Sequence, residues 1–510
     1  MKNYNYLVCL LICFFCFSCV QKQKEQAEEL NAPKVLCTFA NVSGKIQSPH
    51  QELNSIVLKY VNPISGDESL YETNLGADGS FSFNVPIELS CVVASLYLPC
   101  CGGTYILLSP DVDAKVECKM NNSAMMEVVN VDDLNIFNVN EKKKGFMDAW
   151  GRFMTKIKDD SGVYEMTPKE FAAWELEVLE KRIENSFTGI KFSEAGKVFV
   201  RNELNLLGLK GRLLAYKEAM ELSYMHTHDL HNFLDLDGYT PQEPEIDYYY
   251  FLEKFDLSNP QYLYNTYFIN VVQSLFEAKA FNISPIEDTP VDEWLKKVKS
   301  TMAVSLGFDS GLFYDVFAAN AYSKQLNDES KPLSDTQKKN IQTYFGESEI
   351  AKILFRKNEA LVKSLDGQAE LVKNDTPNVP NVRLMNAILS KYKGKTVVVD
   401  FWATWCGPCL EAMQKIEPLK SELKNENVVF VYITNRTSPQ NRWEIMAKKI
   451  GGEHYYLAVD GQWNYIAEEI GFQGIPAYSI YNAKGEFCEK FIGYPGTNEM
   501  RDVIMKHTQK

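Results

Sequence analysis

Two cysteines separated by two residues, Cys406 and Cys409, carry the strongest chemical signal in the sequence. They follow an apolar run rich in β-branched residues at 396–399, which predicts a strand. Pro408 lies between them, at a position where the first turn of a helix tolerates a missing N–H. A helix that begins here places Cys406 at its positive N-terminal end, which favours the thiolate. Cys409 lies one turn further on and can attack a mixed disulfide on Cys406, so the spacing predicts thiol–disulfide exchange.

A zinc site is the alternative for such a pair, because a Cys-x-x-Cys unit is also half of a structural zinc centre. A second pair of ligands is then required, and the remaining chain holds only His454, Cys488 and His507, none beside another. The flanking Trp402 and Trp405 also suit a redox loop better than a zinc knuckle. We therefore predict a redox dithiol with no metal and no cofactor.

The segment VDFWATWCGPC at 399–409 resembles the active-site run of the thioredoxin superfamily, and the GIPA segment at 474–477 resembles its second conserved mark. The resemblance covers residues 376–510 and implies an α/β thioredoxin fold. It further implies that Cys406 is the nucleophile, Cys409 the resolving thiol and Asp400 a buried acid that takes the proton from Cys409.

The same resemblance implies a substrate groove beside the cysteines. Pro476 is then a cis-proline, and the backbone of Ile475 is free to pair with an extended substrate. Trp405 forms the other side of the groove. From the sequence pattern alone, Pro476 predicts only a turn before a strand, because cis is a minority state even for X–Pro bonds.

The stretch between the cysteines and Pro476 is long enough for an additional βα unit. We predict strands at 428–434 and 455–459, and helices at 439–450 and 463–470. This order is similar to that of the TlpA/ResA-like envelope thiol–disulfide oxidoreductases. One departure is a predicted helix at 384–392, where these relatives begin with a β-hairpin.

The N-terminus predicts export. Lys2 precedes an apolar run at 7–17 that is too short to span a bilayer and is typical of a signal-peptide core. The run ends at Ser18-Cys19, which resembles a bacterial lipoprotein processing site. Residues 1–18 are then a signal peptide, Cys19 the lipidated first residue, and 19–34 a tether. Plain secretion and an uncleaved anchor are the alternatives.

The remaining composition limits the architecture and the partners. The chain has 510 residues, enough for about three domains, and a net charge of −14 at pH 7, which argues against nucleic acid or anionic membrane surfaces as partners. Residues 35–125 alternate as strands do and predict a small β-sandwich, and residues 126–375 predict an α-helical middle region.

Five cysteines lie in the predicted β-sandwich: Cys37, Cys91, Cys100, Cys101 and Cys118. Some could form disulfides in an oxidising compartment, but we favour free thiols in a β core.

A histidine cluster in the helical region offers another candidate site. His226, His228 and His231 lie within six residues, and imidazole is a common metal ligand. On a helix only His228 and His231 share a face, and no second cluster lies nearby in the sequence. We therefore favour a polar loop between helices over a metal site.

The sequence thus predicts a multi-domain, membrane-anchored thiol–disulfide oxidoreductase that faces the periplasm. The Gly407-Pro408 pair between the cysteines resembles reducing thioredoxins, so we expect reduction of disulfide-containing envelope proteins. Such a reductase needs an electron donor in the inner membrane. Two alternatives remain: a peroxiredoxin-like peroxidase, and a scaffold lipoprotein whose thioredoxin-like domain is only structural.

Overall fold

The computed structural model describes residues 31–47, 55–98, 101–121, 125–134, 136–138, 141–155, 160–230, 236, 238–365, 371–438, 440–459 and 461–508. These residues form two compact units. The N-terminal unit contains the chain up to Ser323 together with Ser334–Phe355, and the C-terminal unit contains Lys324–Leu333 and the chain from Arg356 onward. The predicted signal peptide, Cys19, Cys100 and His231 lie outside the described residues.

The N-terminal unit begins with β-strands, as predicted. They are β1 (Val35–Gln47), β2 (Ser55–Asn62), β3 (Asp67–Asn74), β4 (Ser80–Leu89), β5 (Val92–Leu98), β6 (Gly102–Leu108), β7 (Ala114–Met120) and β8 (Met126–Asp132). In the part of the chain described, they form two four-stranded sheets in the orders β4-β1-β7-β8 and β3-β2-β5-β6. Cys91 and Cys118 are buried there. Strand β8 lies beyond the predicted boundary at residue 125, because it pairs antiparallel with β7 and completes that sheet.

Helices follow in the same unit, in agreement with the predicted helical region. They are α1 (Phe146–Met154), α2 (Pro168–Ser186), α3 (Glu194–Gly208), α4 (Tyr216–Thr227), α5 (Phe268–Glu277), α6 (Val291–Leu306), α7 (Leu312–Asp328), α8 (Asp335–Phe345) and α9 (Glu349–Leu365). The C-terminal residues of α7 and of α9 belong to the C-terminal unit. Reciprocal capping boxes start α2 at Thr167 and α8 at Ser334. Among the described helices, none combines the length and the apolar character needed to cross a bilayer.

The C-terminal unit is built on a single mixed sheet within the described residues. Its strands are β9 (Leu371–Asn374), β10 (Thr396–Phe401), β11 (Val428–Asn435), β12 (Gly452–Leu457), β13 (Ala477–Tyr481) and β14 (Phe487–Ile492), in the order β14-β13-β10-β11-β12-β9. Strand β10 lies inside the sheet, parallel to β11 and antiparallel to β13. All of its residues are buried, which is typical of a strand covered on both faces.

Helices cover both faces of this sheet: α10 (Leu384–Leu389), α11 (Gly407–Glu422), α12 (Gln440–Ile450), α13 (Gln462–Ile470) and α14 (Thr497–His507). Because side chains alternate along β10, Val397 and Val399 pack into one core with α10 and α13, whereas Val398 packs into another with α11 and α14. The predicted additional βα unit is therefore present, as β11-α12-β12-α13.

Two boundaries differ from the predictions. Strand β9 precedes residue 376, and its short sequence was not recognised as a strand. It pairs in parallel with β12, from Gly452 to Tyr455. This pairing is also why β12 begins at Gly452, earlier than the predicted start at residue 455.

Candidate redox site

The two cysteines of the Cys-x-x-Cys motif form a disulfide at the start of α11. Cys406 is the N-cap residue, and its Sγ accepts a hydrogen bond from the backbone N–H of Cys409 at 3.2 Å. The N–H groups of the first helical turn have no partners within a helix and carry partial positive charge. The structure confirms this helix position for Cys406; the stabilised thiolate that it would favour after reduction stays a prediction.

Exposure distinguishes the two sulfur-bearing residues and their neighbour. Cys409 is fully buried at 0% exposure, Cys406 retains 3%, and Trp405 is 59% exposed. The approach to the disulfide from solvent is therefore on the Cys406 side, next to the Trp405 ring. This geometry allows attack by Cys406 and resolution by Cys409.

Asp400 lies near the end of β10 and is almost completely buried. The sheet register places it between Tyr432 on β11 and Tyr478 on β13. Its Oδ1 has no hydrogen-bond partner among the described residues. Burial raises the pKa of the Asp400 carboxyl well above its ordinary value, and the Lys420 ammonium opposes this rise only in part. A carboxyl with a raised pKa is a better proton acceptor than an ordinary aspartate, so this environment suits Asp400 to exchange a proton.

Lys420 and His454 both contact Tyr432, the residue that pairs with Asp400 in the sheet, and sequence reasoning assigned neither to the site. Lys420 on α11 lies 5.4 Å from the centre of the Tyr432 ring and donates to the carbonyl of Ile450 at 2.9 Å. The His454 ring stacks on that of Tyr432, with the ring centres 4.7 Å apart. Burial lowers the pKa of His454 to about 4, so this imidazole is neutral at pH 7.

The loop that carries the cysteines is held by the turn after β11. The Ser438 hydroxyl accepts the backbone N–H of Thr404 at 3.0 Å and shares a 2.8 Å hydrogen bond with the Thr434 hydroxyl. The indole Nε1 of Trp405 donates to Thr437 Oγ1 at 3.0 Å. Sequence reasoning missed these residues because they lie about thirty residues from the motif and form no pattern of their own.

A groove of about 1030 Å³ begins beside Trp405. Ile475 lines it, and the Ile475–Pro476 peptide bond is cis, as the resemblance implied. Trp463 and Phe472 add aromatic surface from α13 and the loop that follows it. The structure therefore brings Trp405 and the segment at Pro476 together around an open surface next to the cysteines.

The other candidate residues do not join this site. Within the described part of the chain, no group of His, Cys, Asp and Glu side chains has the arrangement of a metal centre. His226 lies in the last turn of α4, where the sequence predicted a loop, and its Nδ1 is 2.6 Å from Asp160 Oδ1. The α4 helix continues to this point because Ser223 and Thr227 are fixed by contacts to the preceding segment.

Comparison with known proteins agrees with this geometry. Residues 377–504 match the protein-family model described as Redoxin. A thioredoxin from Coprinus comatus is 40% identical over 100 residues, which is 20% of this chain and 70% of that protein. The thiol-disulfide oxidoreductase ResA of Halalkalibacterium halodurans is 27% identical over 105 residues, or 21% of this chain and 58% of the relative.

Other matches are shorter or have lower sequence identity. The chain spans 52% of the length of a thioredoxin from Ictalurus punctatus, at 39% identity over 56 residues. The solved thioredoxin domain of a thiol-disulfide oxidoreductase from Bacteroides vulgatus is 18% identical, with a TM-score of 0.22, and covers 24% of this chain and 84% of that domain. Together, the family match and the Coprinus comatus relative show that this chain belongs to the thioredoxin superfamily, and its C-terminal domain is also similar to ResA.

Proposed function

We propose that the protein reduces protein disulfides in the cell envelope through Cys406 and Cys409. The observation that carries this proposal is a Cys406–Cys409 disulfide at a helix N-terminus, in one core cluster with Tyr432, which neighbours the protonatable Asp400 in the sheet. A dithiol in this setting combines a stabilised attacking thiolate with an acid–base group for the second sulfur.

The reaction begins from the reduced dithiol. The Cys406 thiolate attacks one sulfur of a substrate disulfide, forming a mixed disulfide and releasing the other substrate sulfur as a thiolate. Cys409 then attacks Cys406 Sγ, so the Cys406–Cys409 bond forms as the bond to the substrate breaks. Asp400 accepts the proton that Cys409 loses. Two electrons pass from the protein to the substrate.

Trp405, Ile475 and Pro476 are proposed to hold the substrate. An extended substrate segment can add to the backbone at Ile475, since Pro476 has no N–H that competes for pairing. The exposed Trp405 ring then covers the substrate beside its disulfide. Each turnover leaves Cys406 and Cys409 oxidised, so a dithiol donor in the inner membrane is needed to return two electrons.

Reduction of insulin by the purified full-length protein tests this activity. With dithiothreitol as the electron source, we expect catalysed precipitation of the insulin B chain, well above the rate with dithiothreitol alone. A rate no higher than that background would refute the reductase and favour a scaffold. A catalysed loss of hydrogen peroxide without insulin reduction would instead indicate a peroxidase.

We also propose that Cys19 carries a lipid that anchors the protein to the membrane, facing the periplasm. The Ser18-Cys19 junction supports this placement. Growth with a fatty-acid analogue should label the wild-type protein and leave Cys19→Ala unlabelled. Equal labelling of both proteins would rule out lipidation at Cys19.

A further inference from the structure

A cleft of about 500 Å³ lies in the N-terminal unit, between strands β2, β5 and β6 on one side and helices α1 and α3 on the other. Six of its sixteen lining residues are aromatic: Tyr97, Tyr105, Phe146, Trp150, Phe199 and Tyr267. The cleft opens to the surface, as the exposure of two of its lining residues shows: Trp150 is 39% exposed and Met147 is 54% exposed. Its size and composition are those of a small ligand site.

Glu203 on α3 is the acidic residue in this aromatic cleft. One of its carboxylate oxygens accepts the backbone N–H of Thr266 at 3.0 Å. Within the described part of the chain, no basic side chain forms an ion pair with Glu203. Lys59, which also lines the cleft, is paired with Glu68 at 2.9 Å.

The walls of the cleft affect the proton affinity of this carboxyl. Removal from water raises the pKa of Glu203 to about 7, against the lowering effect of its hydrogen bonds to Thr266 and neighbouring groups. The other titratable groups that line the cleft are Lys59, Tyr97, Tyr105 and Tyr267. Near pH 7 the carboxyl is therefore divided between its neutral and charged forms.

We propose that this cleft binds an alkylammonium group, either a free amine or the side chain of a lysine in a polypeptide. An ammonium ion would supply the positive partner that the Glu203 carboxylate lacks. The aromatic rings of Trp150 and Tyr267 line the cleft and would attract a nearby cation through their π electrons, and the aliphatic stem would replace water on the apolar walls. A neutral or anionic ligand would gain only the stabilisation that comes from replacing water on the apolar walls.

Glu203 also has a structural role, because its hydrogen bond to Thr266 lies just ahead of α5. The variant Glu203→Gln separates the two roles. A glutamine keeps a side-chain oxygen that can accept the Thr266 N–H, but it removes the negative charge. Glu194→Gln is the matched control, since Glu194 is an exposed acid at the start of the same helix.

Calorimetric titration of the full-length protein with n-butylammonium tests the proposal, with n-butanol as the uncharged probe. We expect saturable binding of butylammonium that weakens at least tenfold in Glu203→Gln and is unchanged in Glu194→Gln. Between pH 8 and pH 6 the affinity should fall, because the carboxyl gains a proton and loses its charge. Equal binding of butanol, or unchanged binding by Glu203→Gln, would overturn the proposal.

A second probe distinguishes the two sources of the amine. N-acetyl-lysine methylamide presents the same ammonium group on a short piece of polypeptide. Tighter binding of this probe than of butylammonium would assign the cleft to lysine side chains, and weaker binding would assign it to free amines. Failure of both probes to bind would overturn the proposal without affecting the redox function, which depends on other residues.

Discussion

Each of the two units places a carboxyl group in apolar surroundings, but with different access and different neighbours. Asp400 is sealed inside the C-terminal sheet, where one carboxyl oxygen has no hydrogen-bond partner among the described residues. Glu203 lies in an open cleft and is held by the backbone of Thr266. Burial raises both pKa values.

This difference separates proton exchange from ligand binding. A sealed carboxyl has no room for a ligand, so Asp400 can exchange a proton only with groups inside the protein, and in the proposed reaction that group is Cys409. An open carboxyl can be paired by a cation from solution. A raised pKa is compatible with the proposed proton transfer in one unit and with the proposed ligand binding in the other, and access to solvent distinguishes the two.

The largest expected effect comes from removing the attacking sulfur. Cys406→Ser should lower insulin reduction more than about 10³-fold, because an alcohol at this position does not form the thiolate nucleophile. Butylammonium binding should be unchanged. Cys488→Ser is the matched control and should retain full activity, since Cys488 lies on β14 outside the redox site. Comparable losses in the two variants would mean that the exchange does not depend on Cys406.

Asp400→Asn should lower the rate of insulin reduction at pH 7 by about 10²-fold, the usual contribution of a positioned acid–base group. The exposed Asp502→Asn serves as the control. An unchanged rate in Asp400→Asn, whose side chain has nearly the same shape, would show that Asp400 has only a structural role.

The stability of Asp400→Asn provides an independent check with a defined pH dependence. The folded state raises the pKa of Asp400, so it retains a proton that the unfolded chain loses above about pH 4. The wild-type protein therefore loses stability relative to the variant as pH rises from about 4 toward the folded-state pKa. Urea unfolding should show Asp400→Asn to be more stable at pH 7, with no advantage at pH 3. An advantage that persists at pH 3 would contradict the raised pKa.

Trp405→Ala should lower the rate of protein disulfide reduction about tenfold, comparable to losing one exposed aromatic contact of an interface. Reduction of a small disulfide such as cystine should change little, because it does not occupy the groove. Phe487→Ala removes another exposed aromatic ring, on β14, and is the control. Equal losses with insulin and cystine would remove Trp405 from substrate binding.

Ser438→Ala should have the smallest effect on turnover. It leaves the buried N–H of Thr404 without its acceptor, which costs about 1–3 kcal/mol of folding stability. We expect a lower unfolding midpoint in urea and a rate of insulin reduction that falls only a few fold. A midpoint equal to that of the wild type would show that this hydrogen bond does not hold the active-site loop.

The two sites also differ in how far the sequence could predict them. Cys406, Cys409 and Asp400 lie within one strand–turn–helix segment, so periodicity, proline position and a family resemblance were enough to locate them. The contacts of Lys420 and His454 with Tyr432, the neighbour of Asp400 in the sheet, could not be predicted, because they form only when α11 and β12 pack against β11. The cleft at Glu203 draws its walls from residues between 59 and 267. No local pattern links residues so far apart in the chain.

The same reasoning explains the errors in the fold. The alternating strands of the N-terminal region and the capped helices after them were predictable from local patterns. Strand β9 was not, because its four residues become a strand only by pairing with β12. The start of β12 was misplaced for the same reason.

The central claim is that Cys406 attacks the substrate and Cys409 resolves the mixed disulfide. Trapping with single-cysteine variants tests it most directly. Reduced Cys409→Ser, mixed with insulin and analysed by mass spectrometry after digestion, should carry an insulin chain on Cys406. Cys406→Ser, treated in the same way, should carry little or none, because Cys409 is fully buried. An adduct on Cys409 in the second variant, as abundant as that on Cys406 in the first, would contradict this assignment.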